Sequence, residues 1–413
     1  MKNLFYLKMI IITLLFSIKL FAGENQKQAF LYFEESEIEK LKSEVEKSNP
    51  QLKPYLEELQ QFANVFLKKG PWSVTDYKSP SISKDPQDYY SESPYWWPNP
   101  DNPDAPFIRK DGVRNPNRFM GHKSSLNRVY QSTFVLVLAG YLFDEPKYIS
   151  HALNILEVWF INPEKRMNPN LNYAQAIPNK SPGRGVGIID THRWTKLVEA
   201  FYLLDYTGQW PVDHKKEIVS WFKDYLEWLN TSKNGLDEKK QGNNHTTWWC
   251  AQVAAYSRLT GNEDLLRTVA DYVKEDVIPN QIEGNGSMPE EEKRTRSLSY
   301  MCFNLDAYSL FIRNVQSEGS NLWQFENAKG GSVKKTIDYM IPYLQNPEKW
   351  TNQQIVKLSK KEPIFLYLAG KEFPDEPYLD LYKSKRHQRE LSKLSSSYDP
   401  FLLMTNLVSM ANY

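Results

Sequence analysis

An amide pair and an imidazole stand side by side at Asn243, Asn244 and His245, and farther along Arg294-Thr295-Arg296-Ser297-Leu298-Ser299-Tyr300 adds two guanidinium groups and a phenol. These residue types suit removal of a proton from a carbon beside an ionised carboxylate. Such a carbon acid is weak because charge must build on a group that is already negative. Asn, His and Arg are donors that can neutralise it as the enediolate forms. A tyrosine can then carry the proton, although its ordinary pKa of about 10 calls for nearby positive charge to favour the phenolate. No spacing among the six His and two Cys matches a zinc site. Gly183-Arg184-Gly185-Val186-Gly187 lacks the strand and crossover of a phosphate-binding loop. No metal and no cofactor are expected.

The elements that must position these groups are helical. From about residue 125 onward the apolar period is that of helices, and it comes in pairs broken by short turns. Val129 to Phe143 pairs with Tyr148 to Phe160, Thr195 to Tyr206 with His214 to Leu229, and Trp248 to Leu259 with Glu263 to Glu275. Tyr300 to Val315 pairs with Ser332 to Leu344, Ile364 to Ala369 with Pro377 to Lys383, and Glu35 to Lys47 and Gln51 to Lys69 add two helices upstream. Amphipathic hairpins must bury their apolar faces on neighbouring hairpins, as a solenoid or as a closed ring. Without a strict repeat, and with long loops between hairpins, the expectation is an all-α fold. We predict an α/α toroid, an incomplete barrel of about six or seven helical hairpins, whose long aromatic-rich loops build a cleft on one rim.

Composition narrows the classes. Net charge is +1, from 51 basic and 50 acidic residues, so no global field holds nucleic acid or an anionic membrane and any polyanion must be gripped locally. Lys2 and Lys8 precede the apolar run Met9 to Phe16, and Leu20-Phe21-Ala22 ends in a small residue. Residues 1–22 therefore read as a signal peptide, making the mature protein exported, periplasmic or secreted, with residues 23–413 as a single domain. Cys250 and Cys302 sit in apolar helical surroundings and read as buried free thiols rather than a disulfide scaffold. Aromatic residues reach 14%, including 12 Trp and 25 Tyr, more than a core of this size plainly needs, and flat rings are suited to carbohydrate.

The segment from 70 to 121 has little periodicity but carries Tyr89-Tyr90-Ser91-Glu92-Ser93-Pro94-Tyr95-Trp96-Trp97-Pro98-Asn99-Pro100. Its aromatics argue for an ordered functional loop. That run, Gly185-Val186-Gly187-Ile188-Ile189-Asp190, Asn243-Asn244-His245 and Arg294 through Tyr300 occur in an order that resembles the alginate lyase superfamily of polysaccharide lyases, over roughly residues 70 to 310. The resemblance implies an α/α toroid, β-elimination of a 4-linked uronic acid polymer, and no metal. It implies that Asn244 and His245 meet the uronate carboxylate, that Tyr300 is the catalytic phenol and that an arginine assists. The arginine-to-tyrosine spacing is one shorter than in the best-known alginate lyases, which points to a divergent branch that includes mannuronan- and glucuronan-cleaving enzymes.

That spacing leaves both Arg294 and Arg296 as candidates. On a continuous helix Arg296 shares a face with Tyr300, whereas Arg294 reaches the cleft only from a loop. Ser287-Met288-Pro289-Glu290 resembles a capping box that would start the helix early; a start at Thr295 or Ser297 would free Arg294, which the family pattern favours. In mannuronate the C5 proton and the leaving C4 oxygen lie on one side of the ring, so one tyrosine can serve both. In guluronate they lie on opposite sides, so a separate base is needed, for which His245 or a tyrosine from another loop is the candidate.

Further substrate-binding candidates are Tyr95, Trp96, Trp97, Tyr173, Gln175, His192, Arg193, Asn243, Trp248 and Arg296. The plain alternatives are an N-cap for Asn-Asn-His, a core packing role for Tyr300, a buried acceptor for Asp190, and a solvated charge cluster for the arginines beside Glu290, Glu291 and Glu292. The leading expectation is an exported, monomeric lyase acting on an anionic polysaccharide, mannuronate-rich alginate first and glucuronan second. A glycoside hydrolase would need paired carboxylates, and a non-catalytic binder would use the aromatic loops alone.

Overall fold

A computed structural model describes residues 30–412 apart from 103, 317–320, 359–362, 388–394 and 396. The leader-like residues 1–22 lie outside the described residues. The fold is all-α, and the apolar periodicity emerges as hairpins in the expected order. Helix α1 is Glu35–Glu46, α2 Lys53–Phe66, α3 Gly121–Phe143, α4 Pro146–Leu156, α5 Trp194–Tyr206, α6 Val212–Thr231, α7 Lys233–Lys239, α8 Asn244–Thr260 and α9 Glu263–Tyr272. Short α10, Ile278–Gln281, and α11, Pro289–Glu292, lead to α12 Ser297–Val315, α13 Val333–Gln345, α14 Ile364–Glu372, α15 Tyr378–His387 and α16 Pro400–Asn412.

Local chemistry explains the hairpin corners. Asp144 and Gly261 close α3 and α8 in left-handed conformations, and Pro146 opens α4 at a position where its missing N–H is not needed. Asn262 and Ser332 cap α9 and α13 by accepting from Leu265 and Lys335 backbone N–H groups.

Helices α3, α5, α8, α12 and α14 pack side by side in that order, α16 packs on α3 and α1, and their hairpin partners form the outer layer of the toroid. The inner helices run parallel. The starts of α3, α5, α8 and α12 gather at one rim, and their ends gather at the other. There the segment Phe30 to Phe33 plugs the ring: Phe33 packs on Tyr367 and Phe401, Phe30 on Tyr206, and the Tyr32 hydroxyl accepts from Asn314 while donating to the Thr195 carbonyl. One apolar core runs from Phe30 to Ala411.

The core, not the cleft, absorbs most of the aromatic surplus. Trp159, Trp194, Trp248, Trp249 and Trp323 are fully buried, and Phe160, Trp194, Trp221 and Phe222 form an edge-to-face cluster between α5 and α6. Cys250 and Cys302 are free thiols.

Upstream of α3, four short strands order the aromatic segment: β1 Tyr90–Glu92, β2 Trp96–Trp97, β3 Ile108–Arg109 and, from the loop after α4, β4 Tyr173–Ala176. β1 pairs in parallel with β4, with a register irregularity between Tyr90 and Glu92. β2 pairs antiparallel with β3, Trp96 opposite Arg109 and Trp97 opposite Ile108.

Candidate active site

A cleft of about 580 Å³ opens at the rim where the inner helices begin. Lys123 comes from the first turn of α3, His192 from just before α5, Asn244 and His245 from the start of α8, and Ser299 and Tyr300 from the first turn of α12. Each helix start exposes unpaired N–H groups and the positive end of its dipole, so the scaffold itself favours an anion here. Arg109, Arg114, Arg184, Arg294 and Arg296 add cationic side chains to the wall, and among the described residues no carboxylate lines the cleft. The acids stand one layer behind.

Tyr300 is the centre of a bonded group. Arg294 Nη2 donates to the Tyr300 hydroxyl at 2.9 Å, the guanidinium lies 4.0 Å from the centre of the same ring, and the hydroxyls of Tyr300 and Tyr95 share a hydrogen bond at 3.0 Å. Arg294 is backed by Asp111, to which Nη2 donates at 3.0 Å, with Arg109 and Thr295 donating at 2.7 and 3.0 Å. Burial alone would raise the Asp111 carboxyl, but Arg294, Arg109 and Thr295 outweigh it and hold the acid down at about 2. Gly112, with φ +73°, makes this contact possible: a Cβ there would lie 2.5 Å from Thr295 Oγ1. Burial raises the Tyr300 phenol above its ordinary value, and Tyr95 adds to the effect while Arg294 opposes it. In the free site Tyr300 is therefore a neutral phenol.

The α8 start repeats the arrangement of donor in front and acid behind. His245 Nδ1 lies 2.8 Å from Oε1 of the fully buried Glu238. Asn244 Nδ2 donates to both Glu291 carboxylate oxygens, at 2.8 and 3.0 Å, and the backbone N–H of Asn244 donates to the same group. The Asn243 side-chain Oδ1 accepts from the His245 backbone N–H at 3.0 Å, so Asn243 is the N-cap of α8. Lys123 is paired with Asp190, which is buried and also accepts from Tyr89 and Ser91. Burial would raise Asp190, yet Lys123 and these hydroxyls bring it below the ordinary carboxylate range. Arg184 donates to the Gln175 carbonyl at 3.0 Å and the Ser93 hydroxyl at 2.7 Å, and burial, with Arg109 nearby, lowers it to about 10. His192 packs between the rings of Trp248 and Phe303 and gives its Nδ1–H to the Ile189 carbonyl at 2.7 Å; burial and then Arg193 depress it to about 3, so it is neutral.

The sequence signature of the family described as alginate lyase matches residues 73–350. A crystal structure of an alginate lyase from Bacteroides ovatus superposes with a TM-score of 0.82 at 32% identity, over 89% of this chain and 97% of that one. The chain belongs to the alginate lyase family. A substituted form of alginate lyase A1-III in complex with a tetrasaccharide superposes with a TM-score of 0.53 at 15% identity, over 76% of this chain and 86% of that one, a likeness of fold. No curated protein sequence matches the chain.

Within this family member, a polysaccharide lyase, the cleft brings together Tyr95, Trp96, Gln175, His192, Asn243, Asn244, His245, Arg294, Arg296 and Tyr300. Other sequence candidates need correction. Trp248 is 1% exposed and sits behind Phe303 and His192, because the second turn of α8 faces the core. Arg193 turns away, donating to the Tyr398 carbonyl, and Tyr173 sits in β4, paired with β1 outside the cleft wall. Trp97 alternates to the far face of its strand, where its indole N–H bonds the Val113 carbonyl and Lys110 lies over its ring.

Of the two helix starts the sequence offers, the later one forms. One turn, Pro289–Glu292, forms and breaks; Ser297 starts α12, and Arg294 lies in the loop between, turned onto Tyr300. Glu291 is not part of a solvated cluster, since it is 1% exposed under Asn244. Asp190 is the buried acceptor expected as its plain alternative.

Lys123, Arg109, Arg114 and Arg184 in the wall, and Asp111, Glu238 and Glu291 behind it, were not singled out from sequence. Arg184 lies inside the glycine-rich run 183–187, and Asp111 within the aperiodic segment 70–121. Glu238 carried no signal beyond its place one short turn before His245.

Proposed function

We propose that this protein cleaves a 4-linked polyuronate by β-elimination, with mannuronate-rich alginate as the first substrate, and leaves a 4,5-unsaturated uronate at the new non-reducing end. The observation that carries the reading is the cleft wall: cationic and amide donors with a phenol in their midst, and no carboxylate among the described lining residues. A glycoside hydrolase needs two carboxylates flanking the bond, and this wall supplies none. The uronate carboxylate meets His245 and the guanidinium groups, with the α8 start beneath it. As the C5 proton leaves, charge grows on the carboxylate oxygens and these donors bind it more strongly than in the ground state. Asn244 Nδ2 is already shared with Glu291, which orients the amide and limits it to one free N–H. Tyr300, held as a neutral phenol, is ready to protonate the leaving C4 oxygen. To act as base on mannuronate it first loses its proton to solvent, for which the bonded Tyr95 hydroxyl can serve as relay, and Arg294 stabilises the phenolate, which then takes the C5 proton and returns it to the leaving C4 oxygen.

A second reading, cleavage of guluronate blocks, is favoured by the resting state of the same pair, whereas glucuronan, with its C5 proton and C4 oxygen on one side as in mannuronate, would use the first. Tyr300 is protonated on one hand, and on the other His245 has its Nδ1 engaged and no bond to Nε2 among the described residues, leaving Nε2 as a base. In both readings the protein is an exported monomer.

The test is ultraviolet absorbance during incubation with polymannuronate, polyguluronate and glucuronan. New absorbance from the unsaturated uronate supports the lyase, and the ratio of rates ranks the two readings. Reducing ends without absorbance would mean a hydrolase, and binding without either would mean a carbohydrate-binding protein.

A further inference from the structure

Buried acids near the cleft are of two kinds. Asp190 is bonded on both oxygens, by Lys123 and Gln175 on one and by Tyr89 and Ser91 on the other, as a structural acid should be. Glu238 is 0% exposed, yet only Oε1 is bonded, to His245 Nδ1; Oε2 has no hydrogen-bond partner among the described residues. An unsatisfied buried carboxylate oxygen is costly. Packing alone does not account for an acid here, because an apolar side chain of similar size would fill the space without that penalty.

The backbone is built to bring the two groups together. Glu238 lies in α7 and His245 in the first turn of α8, joined by a tight turn in which the Gly242 N–H donates to Thr246 Oγ1. Gly185 lets the loop carrying Arg184 close on α7, since a Cβ there would lie 2.7 Å from the Asn234 carbonyl oxygen and 3.1 Å from the Glu238 nitrogen. The imidazole is consequently pinned through Nδ1, 19% of its side chain stays exposed, and the residue lines the cleft.

A neutral imidazole has one N–H and one lone pair, and the bond made by one nitrogen decides what the other presents. We propose that Glu238 is a positioning residue: it holds the His245 N–H on Nδ1 and thereby presents the Nε2 lone pair to the cleft. This rests on the second reading of the site, in which His245 is the base for uronates whose C5 proton lies opposite the leaving oxygen. Without the carboxylate the ring is free to adopt the Nε2–H tautomer, a donor where a base is needed.

The experiment combines spectroscopy with kinetics on the full-length protein. Nitrogen-15 NMR of histidine-labelled wild type, with the His245 signals assigned by their loss in His245→Gln, is expected to show the Nδ1–H tautomer. An Nε2–H tautomer in the wild type overturns the proposal whether or not any variant folds, and whether or not a polyuronate is cleaved. Failure of the functional reading itself would show instead as no unsaturated product from wild type on any polymer. Glu238→Gln preserves shape and is expected to lower kcat on polyguluronate by between roughly 10-fold and the 10⁴-fold seen when a serine protease loses the acid that sets its histidine tautomer, with KM little changed. In a His245→Gln background the same substitution should have no further effect. Independent, multiplicative losses in the double variant would show that Glu238 acts through packing, and would overturn the assignment.

Discussion

Asp111 and Asp190 at the cleft rim and Glu199 at the closed rim are held in opposite ways. At the cleft rim, Asp111 and Asp190 are each bonded to a cation that also faces the cleft, and both are held below their ordinary range. At the closed rim, Glu199 is fully buried and takes its hydrogen bonds from the backbone N–H groups of Leu31 and Tyr32, at 2.7 and 3.4 Å. Burial pushes it up to about 7 although those amides pull the other way. The two rims are the ends of the same helices: Tyr300 and Asn314 both lie on α12, roughly 20 Å apart at 1.5 Å per residue. Asp111 and Asp190 hold Arg294 and Lys123 at the cleft, whereas Glu199 anchors a plug. Function at one rim and closure at the other therefore predict separable effects of substitution.

The largest effect is expected at the phenol. Tyr300→Phe keeps the ring beneath Arg294 and removes the proton carrier, so the rate of unsaturated-uronate formation should fall by about 10²-fold or more with an unchanged melting temperature. Retention of more than about a tenth of the wild-type rate would break the assignment of chemistry to this rim. Arg294→Ala follows, with a loss of roughly 10² to 10³ in kcat, the scale of one oxyanion donor, and a smaller change in KM. A pure KM effect would make Arg294 a substrate holder only.

Asp111→Asn sharpens the comparison, because it removes the backing acid and leaves the wall intact. A hydrogen bond to a charged group contributes about 1.5 to 3 kcal/mol, so a lower melting temperature and a several-fold loss of rate are expected. The sign with pH is fixed: Asp111 is depressed when folded, so its stabilisation is present above the unfolded carboxyl value of about 3.9 and is lost as pH falls through about 2. Acid titration of stability should lose that component in the variant, and an unchanged acid limb would show that the pairing is not formed in solution.

The smallest effect on catalysis is expected from Glu199→Gln, which should leave rate untouched. Glu199 is raised when folded, so its contribution is fully present below the ordinary glutamate value of 4.5 and is lost as pH rises through about 7. Wild-type stability should decline across that window, and the variant should show a flatter profile by thermal unfolding at several pH values. A loss of lyase activity in Glu199→Gln with normal stability would show that the two rims are coupled after all.

Sequence alone determined the helical hairpins, their order, the aromatic segment and the Asn-His and Arg-Tyr motifs, because apolar period and motif order are local properties of the chain. Its systematic error is informative. The apolar period placed the starts of the inner helices at residues 129, 248 and 300, and they begin at Gly121, Asn244 and Ser297. Those first turns carry the polar residues of the cleft, so they drop out of any apolar pattern although they are helical. Only the tertiary structure brought Arg294 onto Tyr300, because the break after Glu292 that turns Arg294 inward is held by residues 353 to 355, remote in sequence, through the Ser297 N–H to the Gln353 carbonyl and the Ile355 N–H to the Thr295 carbonyl. Only it placed Asp111, Glu238 and Glu291 behind the donors they serve, since a carboxylate reads the same in sequence whether it lies in solvent or beneath a guanidinium, and burial against a particular partner is what changes its chemistry.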